Sequence, residues 1–104
     1  MDAGRFHASL TGDSPPPGIA PLAQALWHDA AGHWDRAHAI VQSQQGAPAA
    51  AVHAYLHRKE GDLANADYWY ARAGTTRPEI ALELEWRRLL EAHLPDGGAT
   101  AQAP

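Results

Sequence analysis

The fold is decided by two stretches of the sequence, LWHDAAGHWDRA at residues 26–37 and YLHRKEGDLANA at residues 55–66. When the two are aligned, glycine matches glycine, alanine matches alanine and histidine matches histidine, and Gly61 follows Gly32 by 29 residues. A glycine lets the chain turn sharply after a helix, and an alanine five residues later lets two helices approach closely. The repetition therefore predicts two copies of one helix-turn-helix unit.

Prolines and glycines mark where the helices begin and end, because proline suits the first turn of a helix and glycine its end. The prolines are Pro21 and Pro48, and the glycines are Gly32, Gly46, Gly61 and Gly74. They delimit helices at approximately 20–31, 34–45, 48–60 and 62–73. A fifth helix is expected to open with a capping box of Thr76 and Glu79 and to run to about His93. The predicted fold is all-α, with two antiparallel helical hairpins and a C-terminal capping helix.

Both ends of the chain differ in composition from this middle part. Residues 1–18 contain three glycines and a run of three prolines, and residues 95–104 are rich in Gly, Ala and Pro. Such segments bury too little apolar surface to offset their ordering entropy. We therefore predict a flexible N-terminal arm over residues 1–18, a single helical-repeat domain over residues 19–94 and a disordered tail over residues 95–104.

Composition and charge exclude several classes of function. The sequence has no cysteine, so a metal ion would have to be held by His, Asp or Glu. The net charge is −4 and no basic run is present to neutralise a phosphate backbone, which argues against nucleic acid as a partner. No apolar stretch approaches the roughly 18 residues of a membrane span, and no signal peptide is recognisable. We expect no membrane association and a cytoplasmic location.

The second unit resembles the tetratricopeptide-repeat motif, in which the first helix ends at a glycine that is followed by a bulky residue and then by a small alanine. Residues 61–73, GDLANADYWYARA, carry this pattern. The period of 29 residues is shorter than the roughly 34 of that family, which implies shorter helices.

The chain is also similar to a group of small uncharacterised bacterial proteins with two shared patterns. The first is Trp-Asp-x-Ala-His, at residues 34–38. The second is His-Ala-x-x-His-Arg-x-Glu-Gly-Asp-x-x-Asn-Ala-x-Tyr-Trp-Tyr-x-Arg, at residues 53–72. The resemblance implies a common fold and assigns no activity.

Two histidines of the predicted helix 48–60 are candidate metal ligands. His53 and His57 are four residues apart, hence on one face, and Glu60 lies one turn further along that face. Two imidazoles at this spacing can ligate one zinc ion, and a carboxylate or a third histidine such as His38 can complete a site with an open position. The alternative is a structural pair at the edge of a helix interface, because each histidine follows a residue that faces the core.

Three consecutive aromatic residues at positions 68–70 cover about two thirds of a helix circumference and cannot all enter one small core. Tyr68, with Asn65 and Arg72 on its face, is the candidate for contact with a ligand or partner. The alternative is a Tyr68 that the fifth helix covers.

Two arginines near the second turn are further candidates for binding. Arg58 and Arg72 can clamp a carboxylate or phosphate by bidentate hydrogen bonds. Alternatively, they pair with Glu60 and Asp67 in a solvated lattice of charges. Asp62 is expected to be the N-cap of the helix that follows.

Two functions from different classes fit these features. The leading hypothesis is a non-enzymatic interaction module that binds a peptide, a protein or a second copy of itself in a homodimer, without a cofactor. The competing hypothesis is a small metal- or ligand-binding protein, with or without enzymatic activity, built around a zinc site of His38, His53, His57 and Glu60. A weaker idea is a pH-responsive assembly, since seven histidines have an unperturbed pKa of about 6.5.

Overall fold

A computed structural model describes residues 3–94, and every regular element among them is an α-helix. The helices are α1 (Ala3–Ser9), α2 (Pro21–Ala30), α3 (Trp34–Gln42), α4 (Ala47–Glu60), α5 (Leu63–Arg72) and α6 (Leu82–His93). The all-α prediction is confirmed, and α2 to α5 match the predicted helices to within a few residues. No described helix has both the length and the apolar character needed to cross a membrane. The predicted tail, residues 95–104, lies outside the described residues.

The two sequence copies form two helical hairpins, α2 with α3 and α4 with α5. Gly32 and Gly61 turn the chain with φ angles of 88° and 91°, in the left-handed region that a side chain disfavours. Asp62 caps α5, as predicted, by accepting a hydrogen bond from a backbone N–H of its first turn. Ala37 and Ala66, which occupy equivalent positions in the two copies, are fully buried. Their small size allows the helices of each hairpin to pack closely.

The main hydrophobic core lies between the hairpins and α6. Its largest fully buried side chains are Phe6, Leu26, Trp27, Val41, Val52, Leu56 and Leu90. Each such side chain contributes about 1.5–3 kcal/mol by leaving water. A smaller cluster of Ala54, Ala66 and Tyr70, with Trp69 packed against it, joins α4 to α5. This second cluster fixes α5 beside the histidine-bearing face of α4.

The prediction of a flexible arm over residues 1–18 is wrong for the segment that forms α1. Phe6 is fully buried and its ring lies 5.9 Å from that of Trp86. Ser9 accepts a hydrogen bond from the indole N–H of Trp27 at 3.0 Å. One large aromatic anchor thus offsets the entropy cost of ordering a short helix that the glycine- and proline-rich composition disfavours.

The predicted capping box at Thr76 and Glu79 is also wrong, because α6 begins at Leu82 with Ala81 as its N-cap residue. The preceding segment is held away from helical structure by contacts with other helices: Arg77 pairs with Asp67 of α5 at 3.1 Å, and the carbonyl of Ile80 accepts a hydrogen bond from Arg58 of α4. Pro78 also disfavours helical backbone at the residue before it.

One face of α6 is apolar and packs against the main core. Trp86, Leu90 and Leu94 are buried, and Leu82 and Leu89 are partly buried against the same core. The indole N–H of Trp86 donates a hydrogen bond to the carbonyl of Leu26 at 3.0 Å, so the ring packs in the core with its polar group satisfied.

Candidate metal centre

Two histidines of α4 form the base of the site. The first half of this helix is rich in alanine, a strong helix former, which keeps the residues around position 53 in regular helix. His53 and His57 therefore lie on one face, as predicted, with ring centroids 4.9 Å apart. Both are buried, each with 6% of its surface exposed.

A third histidine reaches this pair from the neighbouring hairpin. His38 of α3 places its Nε2 atom 3.0 Å from the Nε2 atom of His53. Its ring centroid lies 4.8 Å from that of His53 and 5.1 Å from that of His57. One ring nitrogen of each of the three residues lies within 4.8 Å of the other two. The structure thus brings together the three histidines that were named as candidate metal ligands, which we call the histidine cluster.

Two tryptophans wall the cluster. Trp34 stacks on His38, with centroids 4.8 Å apart and an interplanar angle of 11°, and its indole N–H donates to the carbonyl of Leu56 at 2.8 Å. Trp69 stacks on His53 at 3.9 Å and 14°. These stacked rings fix the orientation of two of the imidazoles before any ligand arrives.

Hydrogen bonds to His57 define which of its nitrogens carries the proton. Its Nδ1 atom lies 2.7 Å from a carboxylate oxygen of Glu60, and its Nε2 atom lies 3.4 Å from the amide nitrogen of Asn65. The amide nitrogen can only donate, so the tautomer that satisfies both contacts accepts at Nε2 and donates from Nδ1–H to Glu60. Glu60 was predicted as a direct ligand, but in the structure its carboxylate bonds a histidine of the cluster.

A second group of possible ligand atoms comes from His57, Glu60 and Asp62. Both acids are exposed, and the His57–Glu60 bond already occupies two members of this group. Asp62 in addition caps α5. This group is therefore explained by the hydrogen bonds that its members make.

Burial favours the uncharged form of two of these histidines, His38 and His53. Desolvation, together with the nearby rings of His38 and His57, lowers the pKa of His53 to about 4. Desolvation and the neighbouring His57 also lower the pKa of His38, although Glu60 and Asp35 oppose the shift. Both imidazoles are neutral at pH 7, which is the form that ligates a metal ion.

The other predicted binding residues divide into two groups. Tyr68 and Arg72 border the cluster through Trp69: the guanidinium of Arg72 lies 5.4 Å from the Trp69 ring centroid and donates a hydrogen bond to the Tyr68 hydroxyl at 3.2 Å. Tyr68 is 54% exposed, so the alternative of a Tyr68 covered by the last helix is wrong.

Arg58, in contrast, lies away from the cluster and ties α4 to α6. Its guanidinium donates to Glu85 at 2.7 Å, and Glu85 also accepts from the Tyr70 hydroxyl at 2.6 Å. The proposed clamp of Arg58 with Arg72 is therefore not formed. The lattice of these arginines with Glu60 and Asp67 is not formed either, since Glu60 bonds His57 and Asp67 pairs with Arg77.

His28 does not share the role of its repeat equivalent, His57. The Nδ1 atom of His28 is buried without a hydrogen-bond partner among the described residues, whereas that of His57 bonds Glu60.

The two wall tryptophans were missed as parts of the site. Trp34 precedes His38 by four residues, so helical spacing alone places them on one face. Trp69 has no comparable local signal, because its contact with His53 depends on how α5 packs against α4. No protein-family model matches the chain, and neither a curated protein nor a solved structure matches it.

Proposed function

We propose that the protein binds one divalent transition metal ion, zinc in the first instance, through His38, His53 and His57. The observation that carries this proposal is the convergence of three ring nitrogens, from two different helices, within 4.8 Å of one another. Neutral imidazole is a preferred ligand of zinc, and histidine is the commonest metal-ligating side chain. Of the two functions that the sequence suggests, this is the metal- or ligand-binding protein.

The donor geometry fits a tetrahedral ion with small movements. Zinc–nitrogen bonds of about 2.0–2.1 Å require ligand nitrogens about 3.3 Å apart. The Nε2 atoms of His38 and His53 are 3.0 Å apart, and a ring nitrogen of His57 lies within 4.8 Å of a ring nitrogen of each. Since Nδ1 of His57 bonds Glu60, Nε2 is its ligating atom, and Asn65 has to release that atom.

The surroundings supply features that metal sites use. Glu60 on His57 Nδ1 makes a carboxylate–histidine pair, which orients a ligating ring and raises its basicity. Three protein ligands leave a fourth position for water, whose pKa a zinc ion lowers to about 7. Any enzymatic activity at this open position would depend on the bound ion.

Isothermal titration calorimetry with zinc, and visible absorption after loading with Co²⁺, test the proposal. We expect one ion per chain and the intense absorption of tetrahedral cobalt. His38→Ala and His53→Gln should weaken binding by at least about a hundredfold, because each removes a ligand. His33→Ala is the matched control, since His33 is exposed and lies outside the cluster.

Circular dichroism of each variant separates loss of a ligand from loss of the fold. Wild-type protein that takes up no ion would overturn the proposal. A folded His38→Ala variant that binds zinc as tightly as wild type would overturn it as well.

A different surface supports the interaction module as a second proposal. Tyr68 is 54% exposed and Leu63 is 43% exposed, both on α5. Large apolar side chains on one exposed helix suit contact with a protein or peptide, a second copy of the chain included. Light scattering at micromolar concentration tests self-association: a Tyr68-dependent dimer supports it, and a strictly monomeric protein excludes it. The cytoplasmic location stays a prediction.

A further inference from the structure

A groove of about 520 Å³ opens beside the histidine cluster, between the start of α4 and the end of α5. Its lining comprises Gln42, Gln44, Gln45, Gly46, Ala47, Ala49, Ala50, His53, Trp69 and Arg72. None of these residues is acidic, although the chain as a whole carries a net charge of −4. The groove therefore offers hydrogen-bond donors and one cation without a repelling carboxylate.

His53 belongs both to the groove and to the cluster. Its Nε2 atom faces His38, and no described residue bonds its Nδ1 atom. Within residues 3–94, Nδ1 of His28 is the side-chain polar atom that is both fully buried and without a partner. Nδ1 of His53 also lacks a partner, so it is not fully buried and reaches solvent-accessible space. His53 lines this groove. Its free nitrogen thus belongs to a side chain that is 94% buried, since only 6% is exposed.

His53 differs from His57 in lacking a hydrogen-bond acceptor, among the described residues, for its second ring nitrogen. A histidine that ligates a metal through one nitrogen usually donates its other N–H to a carboxylate, a carbonyl or water. His57 has Glu60 for this purpose, whereas none of the described residues accepts a hydrogen bond from Nδ1 of His53. A hydrogen-bond acceptor bound in the groove would give Nδ1 of His53 such a partner.

Arg72 provides the second half of a carboxylate site. Its guanidinium lies over the rings of Trp69 and Tyr68, at 5.4 and 5.7 Å, and no described acid pairs with it. These ring contacts hold the cation in place while leaving donors for a bidentate bond to a planar carboxylate. The start of α4 adds to the attraction, since its first turn has no acidic residue and no side-chain cap.

We propose that the groove binds a small organic carboxylate, which pairs with Arg72 and accepts a hydrogen bond from Nδ1–H of His53. This inference rests in part on the proposed function, because the same bond leaves Nε2 of His53 unprotonated for the metal ion. Carboxylate and metal therefore strengthen each other's binding, and the coupling is reciprocal. The ligand class is thus an organic acid bound beside the ion.

Acetate is the probe for this site. In metal-free protein, NMR titration with sodium acetate should shift the side-chain resonances of Trp69 and His53, with sodium chloride at equal ionic strength as the reference. Arg72→Gln should weaken acetate binding at least tenfold. Arg88→Gln is the matched control, because Arg88 is an exposed arginine outside the groove.

The coupling is measured as zinc affinity with and without saturating acetate, at a zinc activity fixed by a chelator so that acetate's own zinc binding cancels. We expect acetate to tighten zinc binding about tenfold in wild type and in Arg88→Gln, and to have no such effect in Arg72→Gln. A zinc affinity that acetate leaves unchanged would overturn the coupling.

The two proposals fail in different ways. Protein that binds acetate at Trp69 and His53 but takes up no zinc would contradict the metal proposal and support the groove. Protein that binds zinc but shows no acetate-induced shift at these residues would overturn the carboxylate site alone.

Discussion

The Nε2 atoms of His38 and His53 lie 3.0 Å apart, although 15 residues separate them in the sequence and each belongs to a different helical hairpin. Two nitrogens this close share a hydrogen bond only if one ring is protonated there and the other is not. The pair is therefore stable as neutral rings and is disrupted when both carry charge. The same two atoms are the first pair of ligands in the proposed metal site.

Metal-free protein should lose stability as the pH falls below 6.5. His53 has a pKa near 6.5 in the unfolded chain and about 4 in the folded protein. As the pH falls, His53 is therefore protonated in the unfolded chain before it is protonated in the folded protein, and unfolding becomes progressively more favourable. Desolvation of the buried ring, together with the neighbouring His38 and His57, opposes its protonation. We expect a loss of about 3 kcal/mol between pH 6.5 and 4.

Urea unfolding at several pH values, with a chelator present, measures this loss. A His53→Gln variant should show a flatter profile over the same window because the titrating group is gone. An equally steep decline in the variant would assign the pH dependence to other residues.

Truncation of Phe6 should destabilise the whole domain. Its ring is fully buried against the core, so Phe6→Ala should lower the free energy of unfolding by about 3–5 kcal/mol. Thermal or urea unfolding measures the change. Thr11→Ala, at an exposed position just after α1, should cost less than about 0.5 kcal/mol. If the two variants were equally stable, the N-terminal segment would be the flexible arm that its composition predicts.

Glu85→Gln should be destabilising because it leaves a half-buried guanidinium without its counter-charge. Arg58 donates to Glu85 at 2.7 Å, and Glu85 is 6% exposed, so the loss should be about 3 kcal/mol. Glu83→Gln, an exposed acid on the same helix, is the control and should be nearly neutral. A paired Arg58→Met, Glu85→Leu variant should recover part of the loss, since neither charge is then left unpaired. A Glu85→Gln variant as stable as wild type would show that this ion pair does not hold α6.

Local signals in the sequence predict most of the helical framework. Gly32 and Gly61 end helices because left-handed backbone is needed there, and this requirement belongs to the residue itself. The structure of α1 and the start of α6 depend instead on partners distant in the sequence. Phe6 is ordered by Trp86, and Ile80 is held by Arg58. Neither contact leaves a periodic pattern in its own segment.

The candidate site likewise combines features that local sequence signals predict with contacts that depend on tertiary packing. His53 and His57 share a face because of helical spacing, and Glu60 reaches His57 from one turn away, so all three were predictable. The distance from His38 to this pair depends on the packing of α3 against α4, which no local pattern fixes. The stacking of Trp69 on His53 likewise depends on tertiary packing.

Anomalous X-ray diffraction at the zinc absorption edge, from crystals grown with one equivalent of zinc, tests the metal site most directly. We expect one peak between the rings of His38, His53 and His57, about 2.0–2.1 Å from a nitrogen of each. The absence of a peak from that position, or a peak held instead by His57, Glu60 and Asp62, would contradict this expectation.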